Sequence, residues 1–217
     1  VSAANPDSTT EVTEYLSIIE KNVRRCEQML DIWRSRRDGR DNDNRSPHPV
    51  SELLAEAARD FMSPGCGHSC RIQLMPAQDD ALVRVEPTEI QRAIHNLISN
   101  AIQAAPEDDG CIRLAWEPGE DAVDILVQDN GPGVPPDKIE SVLTPYFTTK
   151  KESGGMGLGL YITQNIIQNH GGTLSLENNG AADGRGLTAR VRLPLAADRN
   201  ATDTRLTEPQ PAGSNAS

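Results

Sequence analysis

Residues 129–160 read DNGPGVPPDKIESVLTPYFTTKKESGGMGLGL, and the rest of the chain is read from this stretch. It opens on a tight glycine turn, Asp129-Asn130-Gly131-Pro132-Gly133. It closes on a glycine-dense run, Gly154-Gly155-Met156-Gly157-Leu158-Gly159-Leu160, that leads straight into a helical pattern. Between them lies a polar segment with Thr148, Thr149, Lys150 and Lys151. Glycine lets a backbone turn sharply and approach a ligand with no side chain in the way. A glycine run that opens a helix aims free N–H groups at one point, which suits phosphate. The pattern predicts a nucleotide site under a mobile lid.

Upstream, Pro87-Thr88-Glu89 is a helix start, with proline in the first turn. The helix is expected to run to Ala105, where Pro106 stops it. Ile90, Ala93, Ile94, Leu97, Ile98, Ala101, Ala104 and Ala105 form its core stripe. Arg92, Asn96, Asn100 and Gln103 recur at intervals of four, four and three, so they line one side. Asparagine is a modest helix former, and stability gives no reason to repeat it in mid-helix. The plain alternative is a solvated polar face. A stacked pair of amides among small residues suits a metal or phosphate site, because amide oxygens ligate Mg²⁺ and amide nitrogens donate.

Composition narrows the classes. With 32 acidic against 21 basic residues the net charge is −11, the opposite of a nucleic-acid binder's balance, and no basic stripe is present. No apolar run approaches membrane-spanning length and no signal pattern opens the chain, so this segment is expected in the cytoplasm. The four cysteines (Cys26, Cys66, Cys70, Cys111) do not look like a disulfide framework. Cys66-Gly-His-Ser-Cys70 has no second Cys/His pair to complete a metal site and reads as a loop entering a strand.

The remaining chain falls into order around the site. Val12, Leu16, Ile19, Val23, Cys26, Leu30 and Trp33 form a heptad seam, widened by Tyr15, Ile18, Met29 and Ile32 as in a helical bundle. Such a helix needs a partner, so a dimerisation helix followed by the polar linker Asp38–Val50 is expected. Val50–Phe61 reads as a short helix. Residues 70–75 and 81–85 read as two strands joined by a turn, and 111–116 with 122–127 as a hairpin. A helix from Leu160 ends at His170-Gly171-Gly172, where a partial positive charge on His170 would suit the dipole. Residues 173–177 and 187–193 read as closing strands around the loop 178–186. The polar residues 196–217 read as a disordered tail.

Four segments now stand in order. HNLISNAIQAA (95–105) resembles the asparagine box of sensor histidine kinases, DNGPG (129–133) their first glycine box, TPYFTTK (144–150) their phenylalanine box, and GGMGLGLYI (154–162) their second glycine box. GRGLTARVRLP (184–194) is similar to the closing strand of the same branch. Together they resemble the ATP-binding domain shared by histidine kinases, type II topoisomerases, a class of heat-shock chaperones and MutL.

The resemblance implies an α+β fold: a two-layer sandwich, with a mixed sheet against three helices, preceded by a long dimerisation helix. It divides the chain into 1–45 (second dimerisation and phosphotransfer helix plus linker), 46–195 (ATP-binding catalytic domain) and 196–217 (tail). It implies Mg²⁺·ATP as cofactor, Asn100 as the metal ligand and Asp129 as acceptor for the adenine amino group. Gly131 and Gly133 would pass the turn close to the base. Gly155, Gly157 and Gly159 would allow lid closure and offer N–H groups to the phosphates, in a nucleotide-contacting run with Met156, Leu158 and Leu160. Phe147 would pack the lid to the body, and Thr148, Thr149 and Lys150 would meet the phosphates. Gln103 and Thr188 are further candidates. Leu187 and Ala189 depart from the family, which often has a hydroxyl residue and an aromatic there. Asn96 stands where the hydrolysing branches carry a glutamate; an amide is no general base, so ATP would be given to a histidine and not to water.

None of His48, His68, His95 and His170 has the family's phosphoacceptor context. The chain is therefore expected to be a fragment whose acceptor histidine lies upstream. A homodimer through the N-terminal helix and a response-regulator receiver domain are the expected partners. Anchoring of the parent protein in the inner membrane is left open. A non-catalytic ATP-gated interaction module and an anti-sigma-type serine kinase of the same fold are the alternatives.

Overall fold

The computed structural model describes residues 44–63, 66–75, 77, 79–148, 157–179 and 185–196, together with Val23. The heptad helix, apart from the exposed Val23, and the expected tail, apart from Ala196, lie outside them. In chain order the elements are β1 (Ser46–Pro49), α1 (Val50–Met62), β2 (Arg71–Met75), β3 (Leu82–Val85), α2 (Pro87–Ala104), β4 (Cys111–Pro118), β5 (Ala122–Asp129), α3 (Gly159–Asn169), β6 (Thr173–Asn178) and β7 (Leu187–Pro194). Two short 3-10 turns, Pro136–Lys138 and Ser141–Leu143, lie between β5 and α3.

Strand alternation builds one apolar face. Ile112, Leu114 and Trp116 of β4, Val123, Ile125 and Val127 of β5, and Val191 and Leu193 of β7 are buried, and a period of two puts each set on one side. The five-stranded sheet has the order β2-β4-β5-β7-β6. β2 runs parallel to β4 and the other pairs are antiparallel, so the sheet is mixed. Three helices cover its apolar face: α2 packs between α1 and α3 and against β5. Leu53 and Leu54 of α1, Ile90, Ile94 and Ile98 of α2, and Ile162 and Ile167 of α3 complete the core.

Both ends of α2 follow its sequence. Pro87 occupies the first turn, where a missing N–H costs nothing. The Glu86 carboxylate caps the helix, accepting the Thr88 and Glu89 N–H groups at 3.3 and 2.9 Å. Burial would raise the Glu86 carboxyl, but these bonds and the Thr88 hydroxyl outweigh it and hold it below the ordinary carboxylate value.

Two features differ from the sequence reading. Residues 46–49, inside the stretch read as linker, form β1, which pairs antiparallel with β3. Two prolines in four residues read as linker, yet an edge strand tolerates missing donors. β2 and β3, read as neighbours across a turn, enter different sheets. His170, read as a helix end, is buried. Its Nδ1 lies 2.7 Å from the Ile166 carbonyl, and its Nε2 accepts the Glu86 N–H at 3.2 Å. It ties the end of α3 to the start of α2.

Candidate nucleotide-binding site

Between α2 and the sheet lies an apolar cavity of about 80 Å³. Leu97, Ala101 and Ala104 of α2 form one wall, and Leu176, Leu187 and Ala189 of β6 and β7 another. Asn100, Asp129, Gly133, Val134 and Leu160 complete the lining. Ala104, read as core, is exposed and opens on this cavity.

Asp129 is the buried charged group of the cavity, 7% exposed. Its Oδ1 accepts the Gly131 N–H at 2.8 Å and the Leu187 N–H at 3.2 Å. Among the described residues no donor meets Oδ2. Burial pushes the carboxyl above its usual range, and the two N–H bonds pull it partly back. An apolar slot with one acceptor oxygen at its end has the shape and polarity to take a flat ring that carries an amino group.

The glycine turn holds this geometry through close approach. A Cβ on Gly131 would lie 2.5 Å from the Ala104 carbonyl oxygen, so any side chain there would push the turn off the end of α2. Gly157 has φ +64, and a Cβ on it would lie 2.1 Å from the Phe147 carbonyl oxygen. The Tyr146 N–H donates to the Gly157 carbonyl at 3.0 Å. The two flanks of the segment read as a lid therefore cross here, backbone against backbone. The half-buried Phe147 and Thr148 stand at the crossing.

Asn96 faces α3 instead of the cavity. Its Nδ2 donates to Thr163 Oγ1 at 2.9 Å, and a Cβ on Gly159 would lie 2.6 Å from its Oδ1. Asn96 thus sets how closely the first turn of α3 approaches α2. Among the described residues no side chain caps that turn, which starts after Leu158, and a helix start is where backbone N–H groups meet an anion.

Two sequence candidates lie elsewhere. Gln103 is exposed and its Nε2 donates to Ser99 Oγ at 3.3 Å; three residues on from Asn100 it has rotated off the cavity side. Thr188 lies between the cavity-lining Leu187 and Ala189, so strand alternation turns it to the other face of the sheet, where its hydroxyl donates to Asn179 Oδ1. Thr149, Lys150, Gly155 and Met156 lie outside the described residues. Among the described residues no group of three or more His, Cys, Asp or Glu could hold a metal ion, and His68 bonds the Phe61 carbonyl at 3.1 Å. Sequence reading missed Thr163, Asn178 and Asn179, because nothing local marks a polar residue whose partner is distant in the chain.

A two-layer α/β sandwich with an acceptor carboxylate at the end of an apolar slot and glycine crossings beside it defines a nucleotide-binding domain. The profile of the "Histidine kinase-, DNA gyrase B-, and HSP90-like ATPase" family matches residues 85–197, and the chain belongs to that family. Within it the likeness is to the ATP-binding domain of sensor histidine kinases. The chain is 38% identical over 131 residues to the sensor histidine kinase ZraS of Salmonella typhi, covering 59% of this chain and 27% of that protein. It thus spans about a quarter of the relative's length. The catalytic domain of histidine kinase ThkA superposes with a TM-score of 0.61 at 29% identity, covering 70% of this chain and 97% of that one. Histidine kinase ThkA in complex with the response regulator protein TrrA shares the fold, with a TM-score of 0.68 at 24% identity over 89% of this chain and 53% of that one.

Proposed function

We propose that this chain is the ATP-binding kinase core of a two-component sensor histidine kinase and gives the γ-phosphate of ATP to a histidine upstream of the segment. The observation that supports this most directly is Asp129, buried at the end of an apolar slot with Oδ2 unengaged among the described residues. Such an oxygen meets the amino group of adenine and repels the carbonyl of guanine. Gly131 and Gly133 carry the turn past the base. Leu158, Gly159 and Leu160 bring the uncapped start of α3 to the phosphates, and Phe147, Thr148, Thr149, Lys150, Gly155, Met156 and Gly157 close over them.

Asn100 lines the cavity and offers the hard amide oxygen that Mg²⁺ accepts, with phosphate oxygens and water as the remaining ligands. Bound there, the ion would neutralise phosphate charge. Asn96 cannot take a proton from water, and its bond to Thr163 keeps its side chain turned to α3. Phosphoryl transfer asks chiefly for positioning and charge neutralisation, which such a site supplies.

In this reading residues 1–45 are the second dimerisation and phosphotransfer helix with its linker, 46–195 the catalytic domain, and 196–217 the tail. The chain works as a homodimer through its N-terminal helix and serves a response-regulator receiver domain. It acts in the cytoplasm; among the described residues no helix is long and apolar enough to cross a membrane.

The test is transfer from radiolabelled ATP to a separately supplied two-helix segment that bears an acceptor histidine. Acid-labile, alkali-stable label dependent on Asn100 is the expected outcome. Acid-stable label on serine would overturn the assignment in favour of a serine kinase.

A further inference from the structure

The loop expected from residue 178 begins with two asparagines whose side chains reach back across the chain. Asn178 grips Val134 at both backbone polar groups: its Oδ1 accepts the Val134 N–H at 2.8 Å and its Nδ2 donates to the Val134 carbonyl at 2.7 Å. Asn179 Nδ2 donates to the Asp129 carbonyl at 2.9 Å, and its Oδ1 accepts the Thr188 hydroxyl. The backbone joins in, with the Asn179 N–H on the Gly186 carbonyl at 3.0 Å and the Gly186 N–H on the Gly131 carbonyl at 2.7 Å. Space is cleared for both amides. A Cβ would lie 2.6 Å from Asn178 Oδ1 at Gly133, and 2.3 Å from Asn179 Nδ2 at Gly186.

We propose that Asn178 and Asn179 are positioning residues that set base selectivity, by holding the turn 129–134 so that Asp129 Oδ2 meets the amino group of adenine. The proposal rests on the nucleotide-site reading above. On the β7 side the ladder ends at Gln128↔Thr188, one residue short of Asp129. The Asp129 carbonyl has no ladder partner there, and the Asn179 amide takes that place. The direction of the amide is fixed from the far face of the sheet. The Thr188 hydroxyl donates to Oδ1, so Nδ2 faces Asp129; a flipped amide would set oxygen against a carbonyl. Asn178 fixes the other end of the turn. With both ends held, the carboxylate has one direction, and hydrogen-bond strength falls steeply with misalignment.

The experiment is calorimetric titration of the 217-residue chain with ADP and with inosine diphosphate, which carries a carbonyl in place of the adenine amino group. Asn179→Ala is expected to lower ADP affinity about tenfold and the ADP-to-inosine preference by a similar factor. Thr188→Val, which removes only a hydroxyl on the face away from the cavity, is expected to shift the preference in the same direction by less. In an Asp129→Asn background, whose amide N–H would favour the inosine carbonyl, Asn179→Ala should shift the preference the opposite way, towards ADP, because the residue acts through position 129. A purely structural role would weaken both nucleotides equally and persist in that background. Should Asn179→Ala fail to fold, Thr188→Val carries the test. A wild type that prefers ADP while the folded variants keep its preference overturns the proposal and leaves the site standing. A wild type that binds neither nucleotide overturns both.

Discussion

Asp129 divides its two oxygens between the protein and the cavity, and that division makes a clean substitution available. In Asp129→Asn the new amide would keep an Oδ1 to accept from Gly131 and Leu187 and would place an amino group where Oδ2 stands. The variant should therefore fold and lose ADP affinity at least about tenfold, as donor meets donor; titration calorimetry reads this directly. The pH dependence has a definite sign. Burial raises the folded-state pKa of Asp129, so its contribution to stability is present below the ordinary aspartate value and is lost as pH rises through the raised folded value. Denaturant melts across that window should show Asp129→Asn gaining on the wild type as pH rises. An unchanged difference across the window would mean that the carboxylate ionises freely in the folded protein. Asp129 was legible because its glycines are its neighbours in sequence. Asn178 and Asn179 were not, since their partners Val134 and Asp129 lie 44 and 50 residues away.

Among the elements, the approach of the first turn of α3 to α2 is set at Asn96, which meets both Gly159 and Thr163. A Cβ on Gly159 would meet Asn96 Oδ1 at 2.6 Å and Nδ2 at 3.0 Å, the far end of a side chain. Gly159→Ala should cost about 1–3 kcal/mol, and the double substitution with Asn96→Ser should recover part of the loss in thermal melts. Gly157→Ala should show no such rescue, because its obstacle is the Phe147 backbone and its φ is positive. The helices were readable from the chain alone: Pro87 and Pro106 bracket α2, and its apolar spacing is local. Six of the seven strands were readable as strands, and the β4–β5 and β6–β7 pairs with them, but the partners of β2 and β3 were not. Partner choice is made by tertiary packing, so β2 lies parallel to the distant β4, and the Ser-Pro-His-Pro strand β1 shows itself only beside β3.

For the whole molecule, the cavity draws its lining from residues between Leu97 and Ala189. A chain cut to residues 44–196 should bind ADP as the longer chain does. A cut to 50–196 removes β1 from the buried Val83 and Val85 and should cost about 2 kcal/mol or more in a denaturant melt. Equal stability of the two fragments would place the edge of the folded unit at Val50. The acidic balance of the chain sets no such boundary, which is why the composition excluded partners and left the domain edge to the strands.

β3 carries a neighbour on each side. Ser46 and Pro49 of β1 pair with Val85 and Leu82, while Leu195 bridges Val83 and the Ala196 N–H reaches the Leu82 carbonyl at 2.7 Å. The chain thus enters and leaves the sandwich flanking a single strand. The two ends of the described body are therefore joined through β3, outside the five-stranded sheet, whose own edges are β2 and β6.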